Sequence, residues 1–213
     1  MRVLAYELGP FAARALALVD EPSGEALIVD PGFDVEVLLT AVSDGGLQVT
    51  SIVLTHAHLD HAYGVSAVKD AFPAATLLLH PADGPLYQNL PAQAEAFGFP
   101  PPDAPSVDLP LEDGAVLRVG GGTLLVRHCP GHSPGHVVLL HDGDPGRLAV
   151  VGDVLFAGSV GRTDLWGGSL QTLERSIREV LFVLPDDTRV IPGHGPETTI
   201  GAEKAANPFV RAV

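Results

Sequence analysis

Metal-ligating side chains crowd into one short stretch. In Thr55-His56-Ala57-His58-Leu59-Asp60-His61 four such groups fall within six residues, directly after the apolar run Ser51-Ile52-Val53-Leu54-Thr55. The run predicts a buried strand and Ala62 to Phe72 predicts a helix, so the ligands occupy a strand-to-helix turn. Side chains two apart on extended backbone share a face, so His56 and His58 can meet one ion while the bending chain carries Asp60 and His61 elsewhere. That division suits two adjacent metals. Imidazole and carboxylate are borderline donors that favour zinc, with iron and manganese as competitors.

The same residue types recur after other apolar runs: His132 in P-G-H-S-P-G-H, Asp153 in V-V-G-D and His194 in I-P-G-H-G. Loops at strand ends are where a rigid scaffold presents chemistry, and the sequence predicts that these three converge on the first motif.

The elements that must position them follow from periodicity. Residues 2–8, 13–20 and 25–29 predict an N-terminal β-meander. Val35, Leu38, Leu39 and Val42 at helical spacing predict a helix stopped by Gly45-Gly46, and 76–80 a short strand after Pro73. From Pro81 to Pro110 prolines and glycines are frequent, which reads as a surface excursion near the site mouth with a short helix at 91–97. Strands at 115–119, 123–128, 136–141 and 147–151, separated by Gly-rich or Asp-Gly turns, form a second meander. A helix at 170–184, a strand at 188–191 and a helix near Ala202 close the chain. Two meanders with helices predict an α+β fold, a four-layer αββα sandwich in one domain spanning 1–213.

Composition narrows the partners. The formal charge of −14 opposes extended contact with nucleic acid or an anionic membrane, leaving small molecules. The single cysteine, Cys129, excludes an intrachain disulfide and fits a reducing cytoplasm. Neither a signal peptide nor a stretch of transmembrane length is evident.

T-H-A-H-L-D-H, P-G-H-S-P-G-H, G-D-V-L-F and P-G-H-G together resemble the metallo-β-lactamase fold superfamily. G-S-V-G-R-T-D and P-G-H-G-P-E-T-T-I-G are most similar to its short glyoxalase II-like hydrolases. The resemblance implies that His56, His58 and His132 hold a first divalent ion, most suitably zinc, that Asp60, His61 and His194 hold a second, and that Asp153 bridges them beside a hydroxide. It implies attack of that hydroxide on a thioester of the S-2-hydroxyacylglutathione type, with Asp60 orienting it and handling its proton.

Several branches fit less well. Di-iron reductases of the superfamily carry Glu at the position of His58, and β-lactamase branches lack an equivalent of Asp153. The added C-terminal helical region of full-length glyoxalase II has no counterpart before residue 213. A persulfide dioxygenase with one iron on His56, His132 and Asp153, a lactonase, and a non-catalytic metal-binding protein stand as alternatives.

Three further residues are candidates for supporting the ligands or touching substrate. Asp30 either accepts an N–H from a ligand histidine or merely forms the turn before Pro31-Gly32. Arg162 pairs with a buried carboxylate near the metals or faces an anionic substrate. Trp166, with Phe156 and Leu165, is a pocket wall or plain core. His80, His128, His136 and His141 read as core or surface histidines, Cys129 as a small hydrophobe, and Glu197-Thr198-Thr199 as a cap for the last helix.

Overall fold

The computed structural model describes residues 1–143 and 146–211. By contacts the chain divides into two compact units, Met1–Leu111 with Arg118–Thr123, and Glu112–Leu117 with the chain from Leu124 onward.

The first unit opens with β1 (Arg2–Leu8), β2 (Ala13–Asp20) and β3 (Glu25–Val29), an antiparallel meander at the predicted positions. Helix α1 (Glu36–Asp44) then crosses to β4 (Gln48–Val53), which runs parallel to β3. Two short helices, α2 (Leu59–Ala62) and α3 (Val65–Ala71), lead to β5 (Thr76–Leu79), parallel to β4. A 3₁₀ turn at Pro81–Asp83, α4 (Gly84–Gln88) and α5 (Leu90–Ala96) follow, and β6 (Leu109–Pro110) ends the sheet, whose order is β1-β2-β3-β4-β5-β6.

Strand alternation explains the core. Ala15, Ala17, Val19, Ala26, Ile28, Ile52 and Leu77 share one cluster with Leu38 and Val42 of α1 and with Val65 and Val68 of α3. The alternate residues Leu16, Leu18, Leu27, Val29 and Val53 are buried too, so the central strands read as nearly continuous apolar runs.

A second sheet holds β7 (Val116–Val119), β8 (Gly122–His128), β9 (Val137–Gly143) and β10 (Gly146–Gly152), the predicted second meander. The middle of its Asp-Gly turn, at 144 and 145, lies outside the described residues. A hairpin of β11 (Leu155–Phe156) and β12 (Ser159–Val160) follows, then α6 (Leu170–Ser176), which continues as a π-helical turn at Ile177–Leu181. Next come β13 (Arg189–Pro192), β14 (Thr198–Thr199) and α7 (Ile200–Ala206), whose first turn is capped by the Thr199 hydroxyl accepting from the Ala202 N–H at 3.2 Å. The sheet order is β14-β13-β10-β9-β8-β7, with β13 parallel to β10. Leu173, Ile177 and Leu181 pack with Val138, Ala149, Val151 and Val190 as its core.

Two boundaries differ from the sequence reading. The strand before the histidines ends at Val53, and the helix begins three residues early, at Leu59, so Asp60 and His61 sit in a helical turn. The long helix read from Ala62 also breaks at Gly64, where an added Cβ would stand 2.4 Å from the Gly32 carbonyl oxygen. No helix among the described residues is long and apolar enough to cross a membrane.

Candidate metal centre

In both units the parallel strands decide where the ligands emerge. β3 and β4 are in register at Val29 and Val53, so Asp30 and the His56 motif leave the same sheet edge at the carboxyl ends of neighbouring strands. β10 and β13 are in register at Gly152 and Pro192, which puts Asp153 and His194 together in the same way. β9 is antiparallel to β10, so the loop before Val137, which carries His132, opens at that edge as well.

In the first unit Asp30, His56 and His61 each bring a donor atom within 4.8 Å of the others. Asp30 has a left-handed backbone, φ 50°, and its buried carboxylate is the hub. Its Oδ1 accepts the Thr55 N–H at 2.7 Å and its Oδ2 the Thr55 hydroxyl at 2.6 Å, while His61 Nδ1 lies 3.1 Å from Oδ2. A carboxylate can only accept, so His61 Nδ1 donates to it. The Thr55 hydroxyl has already given its proton to Asp30, so it accepts from His56 Nδ1 at 3.0 Å. Both imidazoles thereby present Nε2 as a lone-pair donor, the tautomer that a metal requires. Of the two roles weighed for Asp30, these contacts match the holding of a histidine: its carboxylate bonds run to Thr55 and His61 rather than to Pro31-Gly32.

The excursion at 81–110 reaches the motif from the other side. Asp83, fully buried, accepts the Ala57 N–H at 3.0 Å. Gln93 of α5 accepts the Leu59 N–H at 3.0 Å and donates to the carbonyls of Ala57 and Leu86 at 3.2 and 3.0 Å. The backbone of 57–59 is thus held by two side chains that composition had assigned only to a surface excursion. Their signal was weak, one of three Asp and one of two Gln in a Pro- and Gly-rich stretch. The rings of His56 and His58 meet edge to face at 4.8 Å, and His61 Nε2 stands 3.7 Å from Asp60 Oδ2.

In the second unit His132 Nδ1 donates to the Arg162 carbonyl at 2.8 Å, which again frees Nε2 as a donor. That Nε2 lies 3.6 Å from Asp153 Oδ2, and His194 Nε2 lies 3.5 Å from the same oxygen. Two ligands about 2.0–2.1 Å from one tetrahedral ion stand about 3.3 Å apart. The observed spacings are long for hydrogen bonds and close to that ligand-to-ligand distance. Donor type, tautomer and spacing therefore fit divalent metals.

Arg162 acts through its backbone. Its guanidinium grips the exposed Asp164 with two 2.8 Å bonds, which hold that carboxyl at about 2, so the expected pairing with a buried carboxylate is corrected. Two residues apart in one loop, these groups meet more readily than either reaches the interior. Trp166 is 59% exposed and Leu165 39%, so neither is core. The Phe156 ring lies 6.3 Å from that of His194. Cys129 is fully buried beside Ser176, and burial pushes its thiol up to about 12, as a small hydrophobe.

Gly161 is where close approach demands a glycine: an added Cβ would sit 1.8 Å from the Asp153 carbonyl oxygen and 3.2 Å from His132 Nδ1. His136, one of the four histidines read as core or surface, is fully buried, and its ring accepts the Asp153 backbone N–H.

The sequence matches the family model of the metallo-β-lactamase superfamily over residues 11–194. It is 38% identical to hydroxyacylglutathione hydrolase GloC of Haemophilus influenzae over 197 residues, 92% of each protein. Among solved structures, BLEG-1 B3 metallo-β-lactamase superposes with a TM-score of 0.88 at 39% identity, over 98% of this chain and 99% of that one. TTHA1623 in a di-iron-bound form superposes at 0.86 and 41% identity, over 97% of this chain and all of that one. With this sequence match, two mixed sheets and His and Asp clusters at their strand ends, the chain has the metallo-β-lactamase fold and belongs to the metallo-β-lactamase superfamily.

Proposed function

We propose that this protein is a dinuclear metal-dependent hydrolase of thioesters of the S-2-hydroxyacylglutathione type, acting in the cytoplasm. The observation that carries the reading is the 38% identity, across 92% of both chains, to a protein named hydroxyacylglutathione hydrolase. In this reading His56, His58 and His132 hold one ion, Asp60, His61 and His194 the other, and Asp153 both. Zinc is the proposed occupant, with iron supported by the di-iron-bound neighbour. When bound, such ions polarise a carbonyl and lower the pKa of water to about 7.

The chain's own residues divide the remaining work. The ring of His61 is fully buried, whereas the Asp60 side chain keeps 20% exposure and that of His194 28%. That exposure supports a role for Asp60 in orienting an attacking water and taking its proton on a carboxylate oxygen. A thiol has a pKa of about 8.5, so the leaving group departs without a dedicated proton donor. That matches a residue set made of ligands and the groups that hold them.

A second reading has one specific observation behind it, the 39% identity to a structure described as a B3 metallo-β-lactamase. Purified protein loaded with zinc or iron distinguishes the two when assayed on S-D-lactoylglutathione and on a chromogenic cephalosporin. Oxygen uptake on glutathione persulfide tests the dioxygenase alternative. Thioester turnover that is lost with chelator and restored by metal is the expected result. Turnover of the cephalosporin alone, or of the persulfide alone, would overturn the proposal.

A further inference from the structure

His136 closes the motif P-G-H-S-P-G-H and is fully buried, yet it is none of the proposed ligands. Its Nε2 lies 3.0 Å from the backbone N–H of Asp153, seventeen residues away. An N–H only donates, so Nε2 is the acceptor. The His136 carbonyl in turn accepts the Cys129 N–H at 2.7 Å, and the ring lies 6.0 Å from that of His132. One residue thus ties the loop carrying His132 to the backbone of Asp153.

The need for that acceptor arises from the strand. The pairing of β10 with β13 shifts register between Val150 and Gly152, and Gly152 takes a left-handed φ of 47°. Such a bulge re-aims the following side chain and takes its backbone out of the regular ladder. A buried N–H left without an acceptor there would lose its hydration with nothing in return. The imidazole supplies the acceptor that the ladder no longer does, while the Asp153 carbonyl is pinned against Gly161. The outcome is Asp153 Oδ2 standing 3.6 Å from His132 Nε2 and 3.5 Å from His194 Nε2.

We infer that His136 is a positioning residue for the metal centre: by accepting the Asp153 N–H across a β-bulge, it aims the carboxylate at both histidines and so sets metal affinity. The inference rests on the proposed role of Asp153 as a ligand. It concerns the peptide of Asp153 and the tautomer of His136, neither of which is among the proposed ligand atoms.

The test compares His136→Gln with His136→Met. The two side chains have similar length, but only glutamine offers a strong acceptor, its Oε1, near the place of Nε2. Zinc affinity is measured by competition with a chromophoric chelator, and the coordination sphere by the visible spectrum of the cobalt(II)-loaded protein. His136→Met is expected to keep the far-UV circular dichroism of the wild type while losing about 10–100-fold in zinc affinity and changing the cobalt spectrum. His136→Gln is expected to restore both. Should His136→Met fail to fold, His136→Asn, whose acceptor is too short to reach, takes its place. Wild-type zinc affinity and cobalt spectrum in the folded Met or Asn variant overturn the inference. An Asp153→Ala protein with wild-type affinity and spectrum would instead remove the underlying reading of Asp153 as a ligand.

Discussion

Replacing Asp30 by Asn separates what the buried carboxylate does for the fold from what it does for the metal ligands. Asn tolerates the left-handed backbone at φ 50° about as well as Asp, so the local backbone is preserved. Its amide oxygen can still accept the Thr55 N–H that Oδ1 takes at 2.7 Å. At the Oδ2 position, however, an acceptor of two protons becomes a donor of two. Hydrogen bonds to a charged group contribute about 1.5–3 kcal/mol each, so keeping the old arrangement would forfeit roughly 3–6 kcal/mol. The protein has a cheaper escape. The Thr55 hydroxyl can rotate to accept from the new amide, and His61 can move its proton to Nε2, which restores hydrogen bonding with wrongly protonated ligands. Asp30→Asn should therefore lower the stability of the metal-free protein by only about 1–3 kcal/mol while weakening zinc binding about 10–100-fold. Asp30→Ala loses all three bonds and adds about 1–2 kcal/mol of left-handed strain, so it should be less stable than the Asn variant. Urea denaturation of the apo proteins and zinc titration against a competing chelator measure the two quantities independently. An Asn variant that binds zinc as tightly as the wild type would refute the tautomer argument.

Other expectations follow from the same contacts. Thr55→Val removes only the link between Asp30 and His56 Nδ1, and its loss of zinc affinity should be smaller than that of Asp30→Asn and less than additive with it in a double-mutant cycle. Gly161→Ala places a Cβ 1.8 Å from the Asp153 carbonyl oxygen and 3.2 Å from His132 Nδ1, so the backbone at Asp153 or at residue 161 must shift beside two proposed ligands; metal stoichiometry should fall even where the far-UV circular dichroism is unchanged. Asp60→Asn should retain most bound metal and lose orders of magnitude in thioester turnover; wild-type kcat in that variant would remove Asp60 from the reaction. Burial raises the Cys129 thiol from 9.0 to about 12, so the folded state holds that proton more tightly than the unfolded one. Stability from this group is fully present below pH 9 and declines as pH rises toward 12, by about 1.4 kcal/mol per unit. A Cys129→Ala protein should lack that alkaline decline, and in native wild-type protein at pH 8 the thiol should label only as fast as the chain opens.

What could be read from sequence, and what could not, divides along the range of the interaction. The meander of β1 to β3, helix α1, the four strands of the second meander and the ligand-bearing loops all announce themselves through local period or composition, because each buries a face or turns on Gly and Pro within a few residues. Asp30, His132, Asp153 and His194 stand out for the same reason, as polar residues straight after apolar runs. The groups that orient them are set by pairings across 17 to 36 residues, such as His136 with the Asp153 N–H and Gln93 with the Ala57 carbonyl, and no local pattern encodes these. Arg162 shows the limit most clearly: its charge drew the prediction, yet its carbonyl, common to every residue type, is what holds His132. Such a position tolerates substitution of the side chain but not displacement of the loop. Arg162→Ala should therefore leave metal affinity nearly intact and only remove the ion-pair partner of Asp164, whereas Gly161→Ala, one residue earlier and without any change of charge, should not. That inversion, the charged residue dispensable and the adjacent glycine indispensable, is opposite to what residue chemistry alone predicts, and zinc titration of the two variants decides it.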